Sequence, residues 1–223
     1  ISPLSKSSDF LKNQVSTVQI NTPFKQQSKI ISEFIKQKYD SQNIIICYDE
    51  QEKGLAVFME RKLDKMKNNI STMNMIYTHI DSVRNQFLDT QIVILPSNNR
   101  AFVSRMLGTL GGIDSSFTVF GLSNLKNYDH LDIENMMHLD VHFPDPYYFN
   151  QHTKRDSLFL YNFEEKFLSS PSRFSKIGYN IMINFCVKEL LFNLEKYRIN
   201  GGQVNKNAPI VRYNNYFLER ATY

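Results

Sequence analysis

Several features that would assign this 223-residue chain to a protein class are missing or scarce. It contains no tryptophan and only two cysteines, Cys47 and Cys186, which rules out a framework of several disulfides. Both cysteines lie in apolar stretches, so two buried free thiols are expected. No run of 18 apolar residues occurs, so no membrane-spanning helix is predicted. No signal peptide follows Ile1, and any export signal is expected upstream.

The motifs of common enzyme classes are also missing. The sequence contains no G-x-G-x-x-G, no G-x-x-x-x-G-K-[ST] and no G-x-S-x-G, the signatures of dinucleotide binding, the phosphate-binding P-loop and the α/β-hydrolases. The formal net charge is only +4, and the basic residues are scattered, so no nucleic-acid partner is predicted. We therefore expect a non-enzymatic protein with no cofactor and no resident metal.

What the chain does have is a regular alternation of apolar runs and helical segments. Five short apolar runs are candidate strands, at Ile44–Tyr48, 73–77, Ile92–Leu95, 117–120 and 139–143. Apolar residues three and four apart predict helices between them, for example over 52–66. A short helix is also expected near 82–87. This alternation predicts an α/β fold with a doubly wound, parallel, five-stranded sheet.

The pattern changes after residue 143, and the chain is predicted to divide there. Residues 1–20 are expected to be a strand end and linker, 21–143 the α/β domain, and 144–223 a C-terminal segment. Helices are predicted in this segment over Lys154–Phe167 and over 172–197, followed by a short strand at 210–213. The second helix is apolar nearly all round between residues 181 and 194, so we expect it to be buried.

Polar residues that follow the predicted strands are the candidates for ligand binding, because such sheets bind ligands at the carboxyl ends of their strands. Asp49 to Glu52 follow the first strand, where carboxylates could perform acid–base chemistry. Their position at the start of a helix is the simpler interpretation. Ser97, Asn98 and Asn99 follow the third strand, where they could cap a helix or hold an anion.

A third possibility is a metal site formed by His138, Asp140 and His142. If all three lay on one strand, alternation would place them on the same face. Two imidazoles and a carboxylate could then bind zinc or act in an enzyme. No fourth ligand has suitable spacing, so the solvent-facing side of an outer strand is the preferred interpretation.

Four stretches carry a resemblance to a known superfamily. They are Ser2-Pro3-Leu4-Ser5, Ile20-Asn21-Thr22-Pro23 with Gln26-Gln27, the segment IIICYDEQEKG at 44–54, and FSKIGYNI at 174–181. In their order along the chain and in their residue patterns they resemble the type I periplasmic-binding proteins, in the branched-chain amino-acid receptor branch. A group of Bacteroidetes envelope proteins that join LysM repeats to a receptor-like domain is most similar. Phe120-Gly121-Leu122, residues 131–134 and Tyr147-Tyr148-Phe149 carry that finer resemblance.

The resemblance implies one lobe of a periplasmic receptor in the cell envelope. It further implies a protein-interaction or regulatory module near peptidoglycan, which domains outside this chain would contact. The alternative is a solute-binding protein for an amino acid or similar small polar ligand. Its candidate ligand-binding residues are Tyr48, Asp49, Glu50, Gln51, Thr78, His79, Ser97, Asn98, Leu122 and Ser123. An envelope-protein partner or a homodimer through the late helix is also expected, because an apolar helix that is exposed to solvent promotes association.

Overall fold

A computed structural model describes residues 1–5, 8–39, 42–64, 69–75, 87, 89–113, 116–128, 131–187, 191–197 and 201–222. The chain forms two compact units. The first contains Ile1–Pro23 and Pro146–Ala208, and the second contains Phe24–Asp145 and Pro209–Tyr223. Among the described residues, no helix has the length and apolarity needed to cross a bilayer.

The second unit is built on a seven-stranded sheet with helices on both faces. Its strands are β2 (Ile44–Tyr48), β3 (Ile70–Asn74), β4 (Ile92–Leu95), β5 (Thr118–Gly121), β6 (Val141–Pro144), β9 (Ile210–Asn214) and β10 (Phe217–Arg220). Its helices are α1 (Phe24–Lys38), α2 (Lys53–Leu63), α3 (Arg100–Gly111) and α4 (Ile133–His138). The predicted α/β fold with five parallel strands is confirmed.

The order of the strands decides where a ligand could bind. Across the sheet they run β10-β9-β6-β5-β4-β2-β3. The five strands from β6 to β3 are mutually parallel. In the sheet, β2 has β3 as its neighbour on one side and β4 on the other. The chain therefore passes from β2 to β3 in one direction and from β4 to β5 in the opposite direction. Right-handed crossovers then place α2 and α3 on opposite faces, which opens a crevice beyond the carboxyl ends of β2 and β4.

The parallel strands are buried as sequence patterning predicted. All four residues of β4 are buried, as are the first four of β2. Ile44 and Ile46 belong to a buried cluster with Ile31 and Ile35 of α1 and Met59 of α2. Continuous β-branched runs of this kind suit central strands that are covered on both faces.

The structure corrects the position of one predicted strand in this unit and confirms another. β3 lies at the edge of the sheet and begins at Ile70, three residues before the predicted run. Ser71 and Thr72 are exposed there, so a search for apolar runs misses them. The expected strand at 210–213 exists as β9, but it pairs antiparallel with β6 and continues into β10. The expected helix near 82–87 lies largely outside the described residues.

The first unit has a smaller sheet and two further helices. Its strands β1 (Val18–Gln19), β7 (Leu194–Lys196) and β8 (Gln203–Asn205) are arranged in the order β1-β8-β7. Helix α5 spans Lys154–Phe167, as predicted, and α6 spans Arg173–Met182.

The prediction of one long, buried late helix over 172–197 is wrong. Helix α6 passes into a π-helical turn at Ile183–Val187, and residues 194–196 form β7 instead. Met182 and Val187 are each more than half exposed. Asn193 and Asn205 explain the end of the helical pattern, since the Asn205 side chain accepts from the Asn193 amide at 3.1 Å and ties that segment to β8.

Candidate functional site

The candidate site is centred on two polar residues that follow adjacent strands. Asp49 comes directly after β2, and Ser97 comes two residues after β4. Both side chains are buried, and Ser97 Oγ donates a hydrogen bond of 3.3 Å to Asp49 Oδ2. They therefore lie together at the crevice where strand order reverses, the location at which open α/β sheets bind ligands.

A third buried side chain, Asn124, reaches the same place from the 3₁₀ turn after β5. Asn124 Nδ2 contacts the Ser97 carbonyl oxygen at 3.5 Å and donates to the Tyr128 hydroxyl. That hydroxyl in turn donates to the Asn98 carbonyl oxygen at 3.0 Å. The loops after β2, β4 and β5 are thus joined by side-chain contacts into one polar cluster.

Two buried acceptor atoms in this cluster have no hydrogen-bond partner among the described residues. Asp49 Oδ1 and Asn124 Oδ1 are shielded from solvent, and neither makes a hydrogen bond in the described part of the chain. A buried polar atom without a partner costs about 1–3 kcal/mol, and more when it carries charge. Both unmatched atoms are acceptors, so the cluster is complementary to hydrogen-bond donors.

Two carboxyl groups lie at this cluster, and the Arg100 charge also acts on the Tyr128 hydroxyl. The carboxyl group of Glu52 lies near Asp49, and its pKa is raised by burial first and by the Asp49 charge second. A backbone hydrogen bond from Asn98 opposes that rise. An anion would meet two carboxylates here, which argues against the anion-binding interpretation of Ser97 and Asn98.

Another buried aspartate at the same edge of the sheet is neutralised by the chain itself. Asp145 follows β6, and its carboxylate forms an ion pair with the Lys126 ammonium. Asp49 is as deeply buried as Asp145, yet no described cation pairs with it. Buried carboxylates are usually paired and hydrogen-bonded, and among the described residues the Asp49 carboxylate has a hydroxyl donor but no ion-pair partner.

Helix capping explains the role of some of the polar residues that follow the strands. Asn99 is the N-cap of α3, with Oδ1 accepting from the amides of Ala101 and Phe102 at 3.1 and 3.2 Å. Ser97 Oγ accepts from the Asn99 amide at 3.0 Å. Asp49, by contrast, precedes a 3₁₀ turn at Glu50–Glu52 without capping it. The capping interpretation therefore holds for Asn99, and Asp49 to Glu52 directly precede α2 as expected, although the Asp49 side chain forms no cap.

The remaining sequence candidates are dispersed. Tyr48 packs against the hydrophobic core, and Glu50 accepts from Asn74 Nδ2 at 2.8 Å. Gln51 is exposed. Leu122 is fully buried, while Ser123 exchanges hydrogen bonds of 2.9 Å with Gln27. Thr78 and His79 lie outside the described residues.

The alternative metal site is contradicted. His138 ends α4, Asp140 has a positive φ of 44°, and the strand begins only at Val141. The three side chains therefore do not alternate along one strand. Among the described residues, no three His, Cys, Asp or Glu side chains come together as potential ligands of a metal ion.

Sequence reasoning missed Asn124, Tyr128 and Glu52. Asn124 and Tyr128 follow a strand, as the other candidates do, but the expected ligand residues after β5 ended at Ser123. Extending the search by one turn would have found Asn124. Glu52 stood in a motif assigned to a helix start, and its amide donates to the Asp49 carbonyl oxygen at 3.1 Å, which places the two residues side by side.

Comparison with known proteins identifies solved structures that have a similar fold. No protein-family model matches the sequence, and no curated protein matches it significantly. A solved ABC transporter substrate-binding protein from Desulfitobacterium hafniense, in complex with Leu, superposes with a TM-score of 0.69 at 12% identity. The match covers 99% of this chain and 72% of that one. The chain has the fold of a periplasmic-binding protein.

Two further solved proteins share it. One, from Rhodospirillum rubrum, is assigned to branched-chain amino acid ABC transport; it has a TM-score of 0.66 at 10% identity, covering 97% of this chain and 71% of that one. The other is full-length LpoA from Haemophilus influenzae, with a TM-score of 0.52 at 10% identity, covering 93% of this chain and 44% of that one. At these identities the likeness concerns the fold alone. The finer resemblance to LysM-containing Bacteroidetes proteins stays a prediction.

Proposed function

We propose that this chain is a non-enzymatic receptor domain of the cell envelope that binds a small polar ligand carrying a protonated amine, such as an amino acid. The observation that carries this proposal is the buried Asp49 carboxylate, which has a hydroxyl donor in Ser97 but no ion-pair partner in the part of the chain that the structure describes. An ammonium group would neutralise Asp49 and supply a donor to its unmatched oxygen, Asp49 Oδ1.

The position of these groups supports ligand binding over a purely structural role. A structural carboxylate needs its counter-ion in the chain, as Lys126 provides for Asp145. The Asp49 cluster instead lies at the strand-order reversal, which is where open α/β sheets generally bind their ligands. The solved relative that contains Leu shares this fold, which is consistent with an amino-acid ligand.

The test is thermal unfolding with pairs of compounds that differ only in the amino group, for example leucine and 4-methylpentanoate. A ligand at 100 times its Kd adds about 2.7 kcal/mol to the free energy of unfolding, which is readily measured as a rise in Tm. We expect the amine-bearing member of at least one pair to raise the Tm of the wild-type chain, and its deaminated partner to leave Tm unchanged.

Asp49→Asn keeps the side-chain shape but removes the charge, so it should abolish the shift. Glu33→Gln, a matched loss of one exposed carboxylate on α1, should retain it. No shift across twenty amino acids and simple amines would contradict the proposal, and so would an equal shift from the deaminated compounds or with Asp49→Asn.

A second candidate function is a protein-interaction module that regulates peptidoglycan synthesis. Its supporting observation is the exposure of large apolar side chains in the first unit: Phe167, Leu168, Phe174 and Met182 are each more than half exposed. Exposed apolar surface of this kind marks interaction sites. The C-terminal domain of LpoA, described as a regulator of PBP1A, has a related fold with a TM-score of 0.50, 10% identity and coverage of 89% of this chain and 67% of that domain.

Binding of the purified periplasmic part of a class A penicillin-binding protein, measured by biolayer interferometry, tests this function. Phe174→Ser should weaken the binding, whereas Asp49→Asn should not. The absence of measurable binding at high micromolar concentration would contradict it.

A further inference from the structure

One helix of the first unit presents a face that is unusually exposed. Of the fourteen residues of α5, only Asp156 is buried. Leu158 is 56% exposed and Tyr161 is 64% exposed. A surface helix ordinarily buries an apolar stripe, so this helix leaves apolar surface without a partner in the described chain.

Four of the exposed residues of α5 form a line along the helix. Lys154, Leu158, Tyr161 and Glu165 are spaced by four, three and four residues, which places them within about 60° of one another around the helix axis. All four are exposed. We call these four residues the α5 stripe: a cation at one end, two large apolar groups in the middle and an anion at the other end.

The α5 stripe is complementary to itself when reversed. If two copies of α5 lie antiparallel about a two-fold axis between residues 159 and 160, Lys154 of each copy faces Glu165 of the other. Leu158 of each copy then faces Tyr161 of the other. The same axis opposes Ser157 to Asn162, both exposed and polar. A two-fold contact requires this kind of self-complementary surface.

The charges at the ends of the α5 stripe have no counter-charge among the residues that the structure describes. Arg155 pairs with Asp156, and Glu164 accepts from Ser170. Neither Lys154 nor Glu165 forms an ion pair with any described residue. Each also lies at the end of the helix where the macrodipole disfavours its sign, with Lys154 in the first turn and Glu165 in the last. Reversed pairing supplies both with a partner.

We propose that the α5 stripe is a docking surface for a second copy of this chain, which pairs with it as a two-fold antiparallel helix dimer. Two helices, each about 21 Å long, make a contact whose buried area is at the lower end of the range for specific interfaces. The dimer is therefore expected to dissociate in about the 10–100 µM range. Its stability should fall as salt rises, because both charge pairs are exposed. This contact is distinct from the Asp49 cluster.

The test uses charge reversal and sedimentation velocity of the full chain from about 1 µM to about 1 mM, which brackets that affinity. In Lys154→Glu, two negative charges face each other at both ends of the two-fold contact. In Glu165→Lys, two positive charges face each other there. Each variant alone should weaken dimerisation at least about tenfold. The matched control is Lys36→Glu on α1, an exposed site with the same charge change, and it should leave dimerisation unchanged.

Two combinations distinguish this pairing from a general charge effect. The double variant Lys154→Glu/Glu165→Lys restores opposite charges and should dimerise as the wild type does. An equimolar mixture of the two single variants should form a heterodimer, although neither variant dimerises alone. A wild-type chain that stays monomeric to about 1 mM, a dimer indifferent to the single reversals, or a double variant without recovery would overturn the proposal.

Discussion

Ser97 Oγ lies 3.3 Å from Asp49 Oδ2, and this hydrogen bond joins the ends of β2 and β4 across the reversal of strand order. The two residues are 48 positions apart in sequence. The contact holds a buried carboxylate at the rim of the sheet, but it satisfies only one of the two carboxylate oxygens.

Removing the Ser97 hydroxyl should destabilise the fold. Ser97→Ala deprives Asp49 Oδ2 of its donor and the Asn99 amide of its acceptor, at a cost of about 1–3 kcal/mol in the free energy of unfolding measured by urea denaturation. The double variant Ser97→Ala/Asp49→Ala should lose less free energy of unfolding than the sum of the losses in the two single variants, since the two side chains interact with each other. Ser104→Ala on the exposed side of α3 is the control. Strict additivity would contradict the coupling.

The stability of the fold should decrease as pH falls below about 6.5, and His142 is one cause. This ring is fully buried between Phe34 and Phe120, and its Nε2 has no partner among the described residues. Burial lowers the pKa of His142, and the Arg212 and Lys38 charges lower it further. The charge and backbone hydrogen bond of Asp140 only partly oppose this.

Because the folded protein holds His142 neutral while the unfolded chain protonates, the stabilisation is complete above the unfolded pKa and is lost as pH falls toward the folded pKa. One such group contributes a slope of up to about 1.4 kcal/mol per pH unit in that window. In urea titrations from pH 7.5 to pH 5, the difference between wild type and His142→Phe should shrink as pH falls. The exposed His152→Gln serves as the control. A difference independent of pH would show that His142 is not responsible.

The two cysteines should differ sharply in reactivity. Cys47 is fully buried in β2, and burial raises the pKa of its thiol, whereas Cys186 is exposed in the π-helical turn. Iodoacetamide should therefore label Cys186 in the native protein and Cys47 only after unfolding, because the thiolate is the reactive form. Peptide mass spectrometry distinguishes the two sites. Native labelling of Cys47 at a comparable rate would contradict the packing of β2.

Glycine is required at position 202 for a steric reason. A Cβ there would collide with the Thr17 carbonyl oxygen and would lie 2.7 Å from the Gln14 carbonyl oxygen. Both are backbone atoms, so Gly202→Ala should lower the free energy of unfolding by about 1–3 kcal/mol. Gly108→Ala, in the middle of α3 with open space around the new methyl group, should instead stabilise by about 0.5–1 kcal/mol. Thermal unfolding of both variants measures the contrast.

Local patterning accounted for much of the second unit. The strands Ile44–Tyr48 and Ile92–Leu95 were predicted with the bounds that the structure has, since both are central and buried. The edge strand β3 was placed three residues late, because its polar residues face water and leave no apolar run. The hairpin partner β10 was missed, since its exposed Phe217 and its charged residues resemble a loop.

The late helix shows the limit of such patterns. Its predicted extent relied on apolar residues from 181 to 194, but β-strands tolerate the same composition and compete for it. Pairing of 194–196 with β8 decides the outcome, and that pairing involves residues nine positions further along. The prediction of burial also failed, since Met182 at the end of α6 and Val187 in the π-helical turn are each more than half exposed.

By itself the sequence determined the class of fold and the edge of the sheet at which recognition could occur, since buried parallel strands need continuous apolar runs and those runs are local. Tertiary structure alone decided which strand-end residues meet. Asp49, Ser97 and Asn124 are brought together by the order of strands in the sheet, and strand order arises from packing between distant segments that no local pattern contains.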